Sequence, residues 1–270
     1  MDNENSRSEI NMKKRTALHV FLAACLLLAG AAAGRAQEKG LFQGVNIKLG
    51  LGADTLSRNV QWDKGPDGSK LKATNVFLAS EFEFPIDLTL GLFAGLSFSD
   101  FKGLLFQDLP FSVEYQAGAV QGILLGGELR KGLFSFGDFE TEAAAQFVSS
   151  LGSTKKWPIE GFAVPGETLG KSKWSQLNAG ASLVYAAYEN FRPYLGVSLS
   201  WLWGNFRMTE TMGDLQGTQI REIKQKGLVR ISLGTTFQVA RQFGLKGEVG
   251  IVPIKGGTDL SASLRLLYGF

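Results

Sequence analysis

The amino-acid sequence predicts an all-β fold, a closed antiparallel transmembrane β-barrel of about ten strands. Three observations predict it. Short segments alternate apolar and polar residues at period two, long and short links follow one another in turn, and aromatic residues gather at the segment ends. Beyond residue 36 no run of about 20 apolar residues exists, so no helix can span a bilayer, and a spanning structure has to be a ring of short tilted strands.

The amino-terminal region is set apart from this pattern. Lys13, Lys14 and Arg15 precede an apolar run from Ala17 to Ala33, and Gly34-Arg35-Ala36 offers small residues where a signal peptidase inspects the chain. Residues 1–36 are therefore expected to be a cleaved signal peptide and residues 37–270 a single barrel domain. Cys25 and His19, the one cysteine and the one histidine, leave with the signal peptide. The expected mature chain has no disulfide, no thiol or imidazole for catalysis and no Cys/His metal cluster. Of 28 basic residues five leave, and of 25 acidic residues three leave, so 23 and 22 remain and the net charge is +1. Nothing in that balance points to nucleic acid.

The strands read in order as follows. Leu41 to Gly52 sets Val45, Ile47, Leu49 and Leu51 against Asn46, Lys48 and Gly50; Asn75 to Phe84 sets Val76, Leu78, Phe82 and Phe84 against Asn75, Glu81 and Glu83. Leu88 to Ser99 continues the pattern with Leu90, Leu92 and Leu96 against Thr89, Gly91 and Ser97. Ala119 to Ser149 holds two strands, whose turn falls at Arg130-Lys131-Gly132 or at Gly137-Asp138. Gln176 to Ala187, Leu195 to Trp203, Val229 to Val239 and Leu245 to Ile251 follow. Leu260 to Phe270 ends the chain, with Leu264, Leu266, Tyr268 and Phe270 on one face and Ser261, Ser263 and Arg265 on the other. The count of ten becomes eight or twelve if the middle is divided otherwise.

Links at 53–74, 100–118, 150–175 and 204–228 are long, and those at 85–87, 130–138, 188–193 and 240–244 are short, the alternation expected of outer loops and periplasmic turns. Phe82, Phe84, Tyr185, Tyr188, Phe191, Tyr194, Phe237, Phe243 and Tyr268 fall at the periplasmic ends, and Phe98, Phe101, Phe147, Trp174, Trp201 and Trp203 at the outer ends. Two such girdles are what amphipathic rings form at two membrane interfaces.

With its signal peptide, alternating strands and terminal Phe270, the chain resembles the bacterial outer-membrane β-barrel proteins, of the small porin-like type. The resemblance implies residence in the outer membrane of a diderm bacterium, contact with outer-membrane lipids, and delivery by the barrel-assembly machinery reading Leu266, Tyr268 and Phe270. It implies no cofactor. It also argues against an enzyme, because outer-membrane enzymes of that kind rely on an active-site histidine, and the expected mature chain has none.

Candidate functional residues fall into two groups. Lys48, Glu81, Glu83, Arg230, Lys246, Glu248 and Arg265, with Glu128, Glu140 and Glu142, would project into a narrow lumen, where opposed charges pair across it. Either they are a polar filling that holds the barrel together, or Glu81 and Glu83 face Arg230 and Arg265 across a constricted pore. Glu81/Glu83 and Glu140/Glu142 also have the i, i+2 spacing of acid pairs, which is equally the lumen period. The second group lies in the long links: Lys155, Lys156 and Trp157 in one, Arg207 and Arg221 in another. The expected role is a narrow porin-like or structural one acting on small solutes. The alternatives are recognition of an extracellular ligand through the outer loops and, less favoured, a soluble periplasmic ligand-binding protein.

Overall fold

The computed structural model describes residues 44–63, 69–107, 109, 113–115, 118–159 and 166–269. The expected signal peptide and its expected cleavage point lie outside the described residues, as does Phe270. Among the described residues fourteen strands form: β1 (Asn46–Trp62), β2 (Ser69–Phe84), β3 (Leu88–Lys102), β4 (Leu105–Phe106), β5 (Val113–Glu114), β6 (Val120–Phe136), β7 (Phe139–Gly152), β8 (Lys155–Ile159), β9 (Gly166–Tyr185), β10 (Phe191–Met212), β11 (Leu215–Gln225), β12 (Val229–Gln238), β13 (Phe243–Ile254) and β14 (Gly257–Gly269).

Twelve of them make one antiparallel sheet, and β4 and β5 make a small hairpin of their own. In the large sheet β8 and β11 are additions, and the other ten close in the order β1-β2-β3-β6-β7-β9-β10-β12-β13-β14, with β14 pairing back onto β1. This is the ten-stranded ring expected from the alternation. The turn in the middle is Gly137-Asp138, where Gly137 takes a left-handed conformation, and β6 runs through Arg130-Lys131-Gly132 with a register shift between Gly132 and Phe134.

Alternation decides which side chains meet hydrocarbon. Leu78 keeps 67% of its surface exposed and Leu233 65%, and Leu51, Val76, Leu195, Val197 and Leu264 are likewise exposed. No second sheet or helix covers them among the described residues, so a soluble protein would leave its largest apolar surface in water. The closed ring leaves no unpaired edge within the bilayer and satisfies the backbone internally, the condition for a β-structure in lipid. The soluble periplasmic alternative is set aside on this ground.

The links that the sequence presents as long loops are largely strand. A transmembrane strand needs about 9–11 residues, whereas β9 has 20 and β10 has 22. The excess lies at the end away from the termini. There β11 folds back on β10 (Trp203–Met212 against Leu215–Lys224) and reaches β1 through Val60–Trp62, taking the place that β12, β13 and β14 occupy lower down. Fewer strands surround the upper section, so the wall narrows into a dome.

The dome has an apolar core of its own. Inward side chains of every second residue supply it: Val60 and Trp62 from β1, Leu71 from β2, Phe101 from β3, Trp174 from β9, Phe206 and Met208 from β10 and Ile223 from β11. The segment between β3 and β6 drops Leu104, Phe106, Leu109 and Tyr115 into the same core. Phe206 stands at its centre, with ring centroids 5.2 Å from Phe101, 5.8 Å from Phe106 and 4.8 Å from Tyr115. Phe101 and Trp174 are therefore inward-facing core residues and not part of the outer girdle, and Tyr194, expected in the periplasmic girdle, also points inward. Period two alone places a ring on a face but cannot tell whether that face meets lipid, lumen or dome.

Candidate functional site: the barrel lumen

Below the dome the lumen is polar, and its charges are held by strand register. Lys48, Glu81, Gly91 and Glu128 lie in one row across β1, β2, β3 and β6. Gly91 carries no side chain between the two glutamates, and Arg130, two residues along from Glu128, bridges them: its Nη2 lies 2.9 Å from Glu81 and its Nε 2.9 Å from Glu128.

From β14 Arg265 reaches Glu128 at 2.7 Å and Glu81 at 3.5 Å, and from the wall opposite Glu128 Lys246 reaches it at 3.1 Å. The Arg265 guanidinium also lies over the Phe93 ring, 4.6 Å from its centroid, and 6.0 Å from that of Phe77. Two carboxylates and three cations thus form one buried cluster. Buried charge persists only when it is paired in this way, since an isolated ion in such surroundings would be strongly unfavourable.

A second group flanks it. Arg230 donates to Glu248 at 2.6 Å and Tyr194 donates to the same carboxylate at 2.8 Å. Gly234 and Gly250 make room for these side chains: a Cβ on Gly234 would overlap the Tyr194 ring, and one on Gly250 the Arg230 guanidinium. Near the periplasmic rim Lys48 bonds Glu83 at 2.6 Å, Asn46 donates to Glu83 at 2.8 Å, and Arg192 pairs with Glu140.

Around the cluster runs a cavity of about 400 Å³, lined from all ten strands of the ring and bordered by Glu128, Arg130, Lys246 and Arg265 themselves. Gln146, Asn178 and Ser198 are on its wall, Glu189 and Asn190 stand at its periplasmic end, and Trp174 stands at its outer end. Trp174 is fully buried, and its indole N–H donates to Ser99 at 2.7 Å. The polar space ends against the apolar dome.

The structure brings together Glu81, Lys246 and Arg265, joined by Glu128 and Arg130. It keeps Glu83 with Lys48 and Arg230 with Glu248, so the expected opposition of Glu81 and Glu83 to Arg230 and Arg265 holds for the Glu81–Arg265 pair alone. Arg130, set at a possible turn by the sequence, is the cluster residue that sequence reasoning missed. Its spacing of two from Glu128 was the available signal.

The outer-loop candidates lie elsewhere than expected. Lys155, Lys156 and Trp157 are on β8, where Lys156 pairs with Glu167 and Trp157 packs edge-on against Tyr115 at 5.2 Å. Arg207 is an exposed residue of β10. Arg221 is on β11, faces inward, is buried and pairs with Asp63 at 3.1 Å. Burial first, and the nearby Asp100 carboxylate second, push the Tyr115 hydroxyl well above its ordinary range, so it stays protonated and donates to the Gly118 carbonyl.

At the other end Leu266 faces outward, and Tyr268 packs on Phe243 with ring centroids 5.0 Å apart. Among the described residues no group of His, Cys, Asp or Glu has the arrangement to hold a metal ion.

No family model and no curated protein matches the sequence. Solved structures are similar at low identity. The translocator domain of the autotransporter NalP from Neisseria meningitidis is 11% identical over 92% of this chain and 98% of that one, with a TM-score of 0.44. An outer membrane channel from Pseudomonas putida F1 is 11% identical over 84% and 96%, with a TM-score of 0.41. The outer membrane protease OmpT from Escherichia coli is 11% identical over 83% and 94%, with a TM-score of 0.39. The chain's own geometry, a closed antiparallel ring with a bare apolar belt, aromatic rims and a polar lumen, is that of a transmembrane β-barrel.

Proposed function

We propose that this protein is a non-enzymatic integral protein of the outer membrane of a diderm bacterium with a structural role, a closed barrel that carries a folded dome on the cell surface. The observation that supports the reading is the apolar core across the outer mouth, with Trp174 and Phe206 both at 0% exposure. An open porin-like path would need water there, and a core packed with rings leaves none. The charge cluster is a polar filling in this reading, and its acids are occupied by arginine and lysine instead of being poised for acid-base work. Biogenesis would use the carboxy-terminal strand as the signal to the assembly machinery.

The testing measurement is single-channel conductance in planar bilayers. Quiet membranes are the expected result, and a steady open channel of the wild-type protein would overturn the structural role in favour of the porin-like one. A second reading, recognition of an extracellular ligand, is favoured by the strand-built outer face of β8, β9, β10 and β11. It predicts that whole cells bind the ligand through this protein without any conductance.

A further inference from the structure

We propose that the outer rim of this barrel binds the phosphate groups of a phosphorylated glycolipid in the outer leaflet, through Lys171, Lys173 and Arg207. On β9 the fully or nearly buried Ser172 and Trp174 alternate with Lys171 and Lys173, and on β10 the buried Phe206 and Met208 flank Arg207, so all three cations point outward, where they are exposed. Register sets Arg207 directly opposite Lys171, with Lys173 two residues further along β9. Cross-strand neighbours stand roughly 5 Å apart and diagonal ones roughly 7–8 Å.

Three like charges at that spacing repel one another and are unfavourable in a sheet unless an anion lies among them. No ion pair joins any of the three to a described carboxylate, although Glu222 sits opposite Asn205 on the next strand.

Their height selects the occupant. Trp203 lies four residues below Arg207 on the same outward face, opposite Lys224 of β11, and its ring packs against Phe147 at 6.3 Å. These rings mark the boundary where acyl chains give way to headgroups. The cations stand just above it, at the level of lipid phosphates, where an anionic surface attracts lysine and arginine. Arg207 adds a planar fork suited to bidentate phosphate binding. On the other side of the barrel Lys70 lies directly opposite Lys102, above Phe98, which repeats the arrangement with Asp100 nearby.

The test uses the full protein in detergent micelles with diphosphorylated lipid A as the probe, read by native mass spectrometry. Wild-type protein is expected to retain lipid A, and K171Q/K173Q/R207Q to bind it at least tenfold more weakly. The charge-preserving K171R/K173R and the periplasmic-turn R241Q are expected to match wild type, and fully dephosphorylated lipid A to bind wild type as weakly as it binds the triple variant. Heat-modifiable gel migration establishes that each variant is folded; should the triple variant fail to fold, R207Q alone is expected to weaken binding severalfold. Undiminished binding by the folded variant, or equal binding of the dephosphorylated lipid, overturns the proposal. Displacement of the lipid by an equal concentration of inorganic phosphate also overturns it, by assigning the patch to a free anion. A protein that does not enter lipid vesicles at all would refute the membrane reading itself and is seen separately by flotation.

Discussion

Lys246 Nζ stands 3.1 Å from Glu128 Oε1, and β13 and β6, which carry them, are diametrically opposite in the ten-stranded ring. One ion pair therefore crosses the whole lumen. Strands on opposite walls share no backbone hydrogen bonds, so this contact and the arginines beside it tie together parts of the ring that the sheet itself joins only around its circumference.

Glu128 pairs with Lys246, Arg130 and Arg265, whereas among the described residues of the cluster Lys246 pairs with Glu128. Glu128→Gln is therefore expected to destabilise by about 3–5 kcal/mol, the range for leaving buried charge without its partner, and Lys246→Gln by less, because two guanidiniums still neutralise the carboxylate. Urea unfolding in lipid vesicles, followed by tryptophan fluorescence, measures both. Equal losses would show that the cluster does not act through Glu128.

Phe206→Ala removes the ring at the centre of the dome. The expected cost is about 3–5 kcal/mol to the packing of that region, felt as faster proteolysis of the outer segments while the gel mobility of the barrel persists. If the dome is the seal, brief conductance steps appear in the variant and not in the wild type. Unchanged proteolysis would mean that the dome is held by its strands alone.

Leu78→Arg places a charge in the middle of the exposed belt, where lysine or arginine costs roughly 2–4 kcal/mol at the bilayer midplane. Gln61→Arg, outward on β1 but high on the dome wall, is expected to change little. Folding yield and unfolding in vesicles distinguish the two. A harmless Leu78→Arg would argue that this face meets water.

Gly234→Ala pushes a methyl group into the Tyr194 ring and disturbs its hydrogen bond to Glu248. A loss of about 1–3 kcal/mol is the usual result of such overpacking. Adding Tyr194→Ala should return part of it, so that the two changes are less than additive; full additivity in the double-mutant cycle would place the cause elsewhere.

The strands were legible because period two is a local property: Leu90, Leu92 and Leu96 declare an outer face whatever lies across the ring. The inward charges at Glu81, Lys246 and Arg265 followed from the same rule, whereas the choice of Gly137-Asp138 over Arg130-Lys131-Gly132 as the middle turn was made by the pairing of β6 with β7. The dome was not legible. Trp174 and Phe101 sit at strand ends as girdle residues do, and Arg221 sits in a polar stretch as loop residues do, yet all three point into a closed interior. Phe77 and Phe93 are also inward, packed under Arg265, at positions where the charge pattern suggested only polar neighbours.

Alternation along the chain was enough to establish a barrel wall and its lipid-facing side, since each depends on neighbours a few residues apart, while the choice of ten strands over eight or twelve came with the closed ring. Which carboxylate meets which cation, and that the outer mouth is filled with rings, depended on ring closure and on β11 reaching β1. Some of those contacts join residues more than a hundred positions apart, such as Glu128 and Lys246, and their partners are chosen by the register and width of the closed sheet, quantities that no single segment carries.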